Sequence, residues 1–306
     1  MIIIASLGVY FYPNIREWKT QQEVNQIMAR FENNFKTDDS NKNDSDSSED
    51  TNSSSDGEVK NFVELHKEME EYNQRLITEG QHIEDAWSYE QPPLTLKNMP
   101  GKDYTIGYIE IPDMKVKLPL LLGASMDNLS KGAAVLSETS MPIGGTDTNC
   151  VIAGHRGWKG SAYFQRIENL KEGSEVYITN PWETMIYKVV STKVVNPDDS
   201  DAILLQPGKD MVTLISCHPY VLGGGKYRYV VYCERAGTEN REKATQMKNP
   251  SVKETKDESV EVPEEELEAS NELLKWEEYL RKYLPIATIG LSVLIILIRS
   301  LKKKKD

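Results

Sequence analysis

A nucleophilic thiol works as a thiolate. It needs a partner that carries a proton, and something positive or hydrogen-bond-donating where an oxyanion develops. The 306-residue chain has three cysteines, Cys150, Cys217 and Cys233, and four histidines. Three cysteines cannot all pair within one chain, and their spacing fits no zinc pattern, so at least one thiol is free. Cys217 ends a strand-like run, Thr213-Leu214-Ile215-Ser216, and is followed by His218-Pro219-Tyr220. The proline turns the chain out of a strand there, which places Cys217 at a strand end. Upstream, His155 sits in Ala153-Gly154-His155-Arg156-Gly157, where flanking glycines permit a tight turn. Arg228 opens the run that follows Gly223-Gly224-Gly225. Cys150 and Cys233 lie inside strand-like runs and read as small core hydrophobes.

The elements that must hold these residues are short strands. The runs 104–111, 116–123, 149–153, 175–179, 185–195, 211–216 and 227–233 are β-rich, with turn signals between them such as Gly144-Gly145, Asn180-Pro181 and Pro197-Asp198-Asp199. Many short strands so punctuated predict a barrel or sandwich. Ahead of them, Val24, Ile27, Met28 and Phe31 recur at helical spacing, as do Phe62, Leu65, Met69, Tyr72 and Leu76. The Ser/Asp/Asn tract 37–58 separates these helices. It has too little apolar surface to fold and is expected to be disordered, and its residues are out of register for an EF-hand calcium loop.

The net charge is −12, with no basic stripe in the middle of the chain, which excludes a nucleic-acid partner. The C-terminus differs: 283–298 carries no charge, Arg281 and Lys282 precede it, and Arg299 and Lys302 to Lys305 follow it. Its sixteen uncharged residues are few against the ~20 that span a bilayer, but snorkelling Lys and Arg extend it, and a transmembrane helix is expected over 281–300. The lysines put the tail 301–306 in the cytoplasm and the preceding domain outside. Residues 1–18 are expected to be a hydrophobic anchor or signal truncated at its start.

Taken together, Ala153-Gly154-His155-Arg156-Gly157, Thr213-Leu214-Ile215-Ser216-Cys217-His218-Pro219-Tyr220 and Tyr227-Arg228 resemble the sortase signature, and most resemble that of the class C, pilus-assembly sortases. Gly107-Tyr108-Ile109-Glu110-Ile111-Pro112, Val116-Lys117-Leu118-Pro119-Leu120, Leu170-Lys171-Glu172-Gly173 and Val195-Asn196-Pro197-Asp198-Asp199 are similar to further family segments. Ser216 stands where the family usually has threonine and keeps the hydroxyl in a supporting place beside the nucleophile. The resemblance implies a mainly β fold, an eight-stranded barrel over 99–236 with N-terminal helices over 19–78. It also implies a lid over 79–98 in which Asp85 pairs with Arg228 and Trp87 covers the Cys217 sulfur, although Ala86 replaces the usual proline. A charged linker and juxtamembrane helix would fill 237–280.

The implied roles are Cys217 as nucleophile, His155 as proton carrier and Arg228 as oxyanion stabiliser. His218 would face away from Cys217, because neighbours on a strand alternate, and Arg156 is expected in solvent. The implied reaction cleaves an LPxTG-like sorting signal of a pilin or surface protein through a thioacyl-enzyme. An acceptor amine, a pilin lysine or a peptidoglycan amine, then resolves it. No metal or organic cofactor is implied. The expected setting is the membrane of a Gram-positive cell, with the catalytic domain outside. Rival readings are a peptidoglycan-anchoring sortase, a hydrolytic cysteine protease and an inactive pilus-assembly scaffold. No papain or caspase signature surrounds Cys217.

Overall fold

The computed structural model describes residues 2–36, 55–83, 96–99, 104–157, 162–221, 224–239 and 259–303. Asp85 and Trp87 lie outside them. Two helices come first, α1 (Ile2–Lys36) and α2 (Ser55–Glu79). Residues 55–58, expected in the disordered tract, form the first turn of α2. The strands follow: β1 (Thr105–Ile111), β2 (Val116–Leu122), β3 (Ala133–Val135), β4 (Thr148–Ala153), β5 (Glu175–Thr179), β6 (Thr184–Val195), β7 (Asp210–His218) and β8 (Tyr227–Glu239). A one-and-a-half-turn helix, α3 (Met126–Lys131), sits between β2 and β3, and α4 (Glu264–Lys303) ends the chain.

The strands close into a barrel in the order β1-β2-β3-β4-β7-β8-β6-β5. Most neighbours are antiparallel, but β4 runs parallel to β7, with Ala153 opposite Ile215. The C-terminal ends of β4 and β7 therefore emerge on the same rim. β8 is antiparallel to β7 and begins on that rim. Alternation along β7 divides its side chains. Val212 and Leu214 join Cys150, Ile152, Val231 and Cys233 in one buried cluster. Met211 and Ile215 join Val151, Ile203, Val230 and Tyr232 in a second, on the other face.

Helix α2 closes one side of the barrel. Leu65 and Met69 enter the first cluster, the Asn73 side chain accepts from the Met141 amide at 2.7 Å, and the Tyr72 hydroxyl accepts from the Glu138 amide at 3.0 Å. Helix α1 buries Val24, Ile27 and Phe31, with Phe31 edge-on to Tyr108.

The uncharged run 283–298 is helical, inside α4. Among the described residues, however, no helix is long and apolar enough to cross a membrane. Sixteen residues of helix rise about 24 Å, against a hydrocarbon core of about 30 Å. The helix expected over 281–300 is present, as part of α4. Helix α4 also starts well before this run, inside the stretch read as linker.

Candidate active site

The parallel β4–β7 pairing brings His155 and Cys217 to one rim. Gly154 is held to β7 on both sides: its amide donates to Ile215 O at 3.1 Å, and its carbonyl accepts from Ser216 Oγ at 2.8 Å. Ser216, beside Cys217, thereby fixes the residue before His155. Continuing the register by two residues sets His155 level with Cys217. A side chain at position 154 has no room, since its Cβ would lie 2.7 Å from the Phe164 ring.

Cys217 is directly opposite Arg228 in the β7–β8 ladder. Facing pairs in antiparallel strands hold their Cβ atoms about 4.5–5.5 Å apart on one face. The burial pattern fixes which face. Ile215, Val230 and Tyr232 belong to the second cluster, so Cys217 and Arg228, each spaced by two from these, share that side. The Arg228 guanidinium is steadied by its Nη1, which donates to the carbonyls of Tyr227 at 3.0 Å and Gly225 at 3.3 Å. Gly225 itself packs against the His218 backbone, where a Cβ would approach within 2.2 Å.

Cys217, His155 and Arg228 are all half-buried, reachable from outside yet partly shielded. Cys150 and Cys233 are buried core residues, and burial pushes both thiols well up from their ordinary range. Neither can offer a thiolate to a substrate. Burial also lowers the His155 pKa below its usual value, which favours the neutral imidazole at pH 7. Once protonated, such an imidazole gives its proton up readily.

Behind the sheet lies a charged cluster that the sequence did not announce. Arg156 is not in solvent: its side chain is 5% exposed. Its Nη1 donates to the Cys217 carbonyl at 3.0 Å, and its Nε to Gln165 O at 2.9 Å. Its Nη2 lies 2.8 Å from Glu168 Oε2, while Glu168 Oε1 lies 2.7 Å from His218 Nδ1. His218 faces away from the Cys217 side, as alternation requires. Burial works to raise the Glu168 pKa, but contact with His218 and the Arg156 guanidinium outweighs it and holds the carboxyl at about 2. The burial of Arg156 has a physical reason, since a buried guanidinium needs a carboxylate to balance its charge, here Glu168.

Helix α4 clasps the same rim from outside. Glu277 accepts from Gln165 Nε2 at 2.7 Å and from the Tyr220 hydroxyl at 2.8 Å, and Ser270 Oγ accepts from the Tyr220 amide at 3.0 Å. One helix therefore touches both the segment after His155 and the segment after Cys217. Among the described residues no group of three or more His, Cys, Asp or Glu side chains could hold a metal ion.

Residues 109–236 match the sortase domain. The chain is 33% identical over 156 residues to Sortase A of Bacillus anthracis, covering 50% of this chain and 71% of that protein. It is 31% identical over 132 residues to Sortase D of Bacillus subtilis (strain 168), covering 42% of this chain and 63% of that one, so it spans just under two thirds of this relative. A crystal structure of Sortase C from Streptococcus pneumoniae superposes with a TM-score of 0.53 at 26% identity, covering 69% of this chain and 96% of that chain. The closed barrel, its rim and these likenesses agree: the chain belongs to the sortase family and has class C sortases among its structural neighbours.

Proposed function

We propose that the protein is a cysteine transpeptidase that cleaves an LPxTG-like sorting signal and passes the acyl group to an amine. The observation that carries this reading is the placement of Cys217 opposite Arg228 on one face, at the rim where His155 leaves β4. Cys217 gives its thiol proton to His155, the resulting thiolate attacks the Thr carbonyl carbon, and the oxygen takes up the negative charge beside Arg228. The C–N bond to Gly then breaks, and the leaving amine takes a proton from His155. An acceptor amine attacks the thioester, gives its proton to His155, and releases Cys217. Proton donation suits His155, because burial makes its charged form the more acidic one.

The acceptor is proposed to be a pilin lysine, on the strength of the class C neighbours. A peptidoglycan amine is the alternative, and an inactive scaffold the alternative of another kind. With an LPxTG peptide and hydroxylamine as acceptor, the protein should release a peptide hydroxamate. Absence of hydroxamate from folded protein would leave the scaffold.

Two further parts of the reading concern the surroundings of the site. Residues 79–98 act as a lid, with Asp85 reaching Arg228 and Trp87 covering the sulfur. An exposed ion pair and a sulfur–aromatic contact would each contribute about 1 kcal/mol, enough to bias the site shut and weak enough to yield to substrate. The double change Asp85→Ala, Trp87→Ala should speed alkylation of Cys217, and unchanged rates would remove the lid. The run 283–298 anchors the chain to the cell membrane, with the catalytic domain outside and the tail 301–306 inside. Its uncharged residues and basic flanks support this. Recovery of the full chain in the soluble fraction after cell breakage would overturn it.

A further inference from the structure

We infer that Glu168 is a positioning residue that sets the spacing of the catalytic pair, by tying the residue after His155 to the residue after Cys217 through one carboxylate. The inference rests on the transpeptidase reading for the identity of that pair. Arg156 and His218 are each the immediate chain neighbour of a proposed catalytic residue, and each is almost wholly buried, at 5% and 4% side-chain exposure. Glu168 contacts both, one oxygen apiece, at 2.8 and 2.7 Å. Arg156 also donates to the carbonyl of Cys217 itself at 3.0 Å. The chain of contacts His155–Arg156–Glu168–His218–Cys217 therefore closes behind the sheet, and the Arg156 bond to Cys217 O cuts across it.

None of this follows from the strand ladder alone. Backbone pairing between β4 and β7 ends at Ala153 and Ile215, with the Gly154 amide adding one more bond to Ile215 O. The sheet holds the chain only as far as Gly154, through Ile215 O and Ser216 Oγ, so His155 itself needs a further constraint on its height against Cys217. The Arg156–Glu168–His218 bridge supplies that constraint. Glu168 comes from the short 3-10 turn Ile167–Asn169, which is anchored through the buried Ile167. This turn follows Phe164, whose amide donates to the His155 carbonyl at 3.0 Å. The carboxylate is thus delivered by a rigid segment already bound to the histidine loop. His218 and Arg156 face away from the side that carries Cys217 and Arg228, so the bridge can order the site without touching substrate.

Replacing Glu168 by Gln keeps the size and removes the charge that holds both partners. Two effects on Cys217 then oppose each other. Loss of a nearby negative charge, taken alone, makes thiolate formation easier and moves the pH midpoint of Cys217 alkylation downward. Loss of alignment with His155 makes it harder and moves the midpoint upward.

The test measures iodoacetamide labelling of Cys217 against pH in the full chain, for the parent protein, Glu168→Gln and Glu168→Asp. Thermal melts show that each is folded at the assay temperature. Positioning predicts an upward shift of about one pH unit in Glu168→Gln, roughly a tenfold slower reaction at pH 7, with Glu168→Asp lying between. In hydroxylamine assays kcat should fall about 10- to 100-fold while KM for the peptide changes less than about threefold, because a misplacement near 1 Å costs up to that much. A midpoint that stays put or moves down overturns the inference, as does a kcat per folded molecule equal to that of the parent. If Glu168→Gln does not fold, Glu168→Asp decides by the same shift. Hydroxamate missing from the parent protein would defeat the transpeptidase reading alone, since the labelling profile needs no sorting peptide.

Discussion

In the Cys217→Ala protein, acyl-enzyme formation and transfer fall to background, a loss on the order of 10⁴-fold or more, as when a nucleophile is removed from an acyl-transfer enzyme. Cys150→Ala and Cys233→Ala keep their chemistry. The contrast follows from where the three thiols sit. Cys150 and Cys233 point into the barrel interior, at 3% and 0% exposure, among Ile152, Val212 and Val231. No peptide carbonyl can reach them, and burial holds them protonated. Cys217 is half-buried on the opposite face of β7, at the end of the strand, with Arg228 across from it. The core variants should each lose about 1 kcal/mol of stability from the missing sulfur, with turnover per folded molecule unchanged. The measurement is mass spectrometry of the trapped thioacyl species alongside hydroxamate release. Transfer at the parent rate in Cys217→Ala would end the proposal.

The strands were legible in the sequence because their β-branched and aromatic runs are bounded by turn residues. Seven of the eight strands lie where those runs predicted them, within about two residues at each end, except that β8 continues past 233 to Glu239, into the expected linker. The missing one, Ala133–Val135, is three residues long and mostly alanine, which carries no strand signal. Helix α4 did carry a usable signal: Pro263 followed by Glu264, Glu265 and Glu266 is a helix start, with acidic residues in the first turn where the dipole favours them. Its first residues fall in the expected linker because the residues around them are charged, while the juxtamembrane and C-terminal helices expected further on make up the rest of α4.

The opposite facing of His218 could be deduced from strand alternation. The burial of Arg156 could not. An arginine between a histidine and a glycine looks solvated, and its partner Glu168 is one acid among the 48 Asp and Glu of the chain. Only the closed barrel brings the 3-10 turn 167–169 behind the end of β7, and that placement depends on pairings distant in sequence. Asp85 and Trp87, proposed for the lid, lie outside the described residues.

Arg228→Lys should lower kcat by about 10²-fold or more while leaving the fold intact, the size of effect seen when one oxyanion-hole donor is lost. Charge alone is kept by this change. What goes is the planar fork, which lets one face of the guanidinium be held while another serves the substrate. In Arg228 the holding is visible: Nη1 donates to the carbonyls of Tyr227 and Gly225. A lysine ammonium has three donors on a single nitrogen at the end of a flexible stem. If it turns to those carbonyls it leaves the oxyanion, and if it turns to the oxyanion it loses the contacts that fix it in place. The ladder itself should not suffer, because backbone pairing of position 228 with Cys217 and Val195 is independent of the side chain. The expected signature is a fall in kcat with little change in KM, since the donor acts where charge develops rather than on the bound peptide. The melting temperature should move by only a few degrees. Near-parent turnover in Arg228→Lys would shift the oxyanion role to backbone N–H groups at the rim. Arg156 could not assume it, because its guanidinium is spent on Glu168 and on the carbonyls of Gln165 and Cys217 behind the sheet.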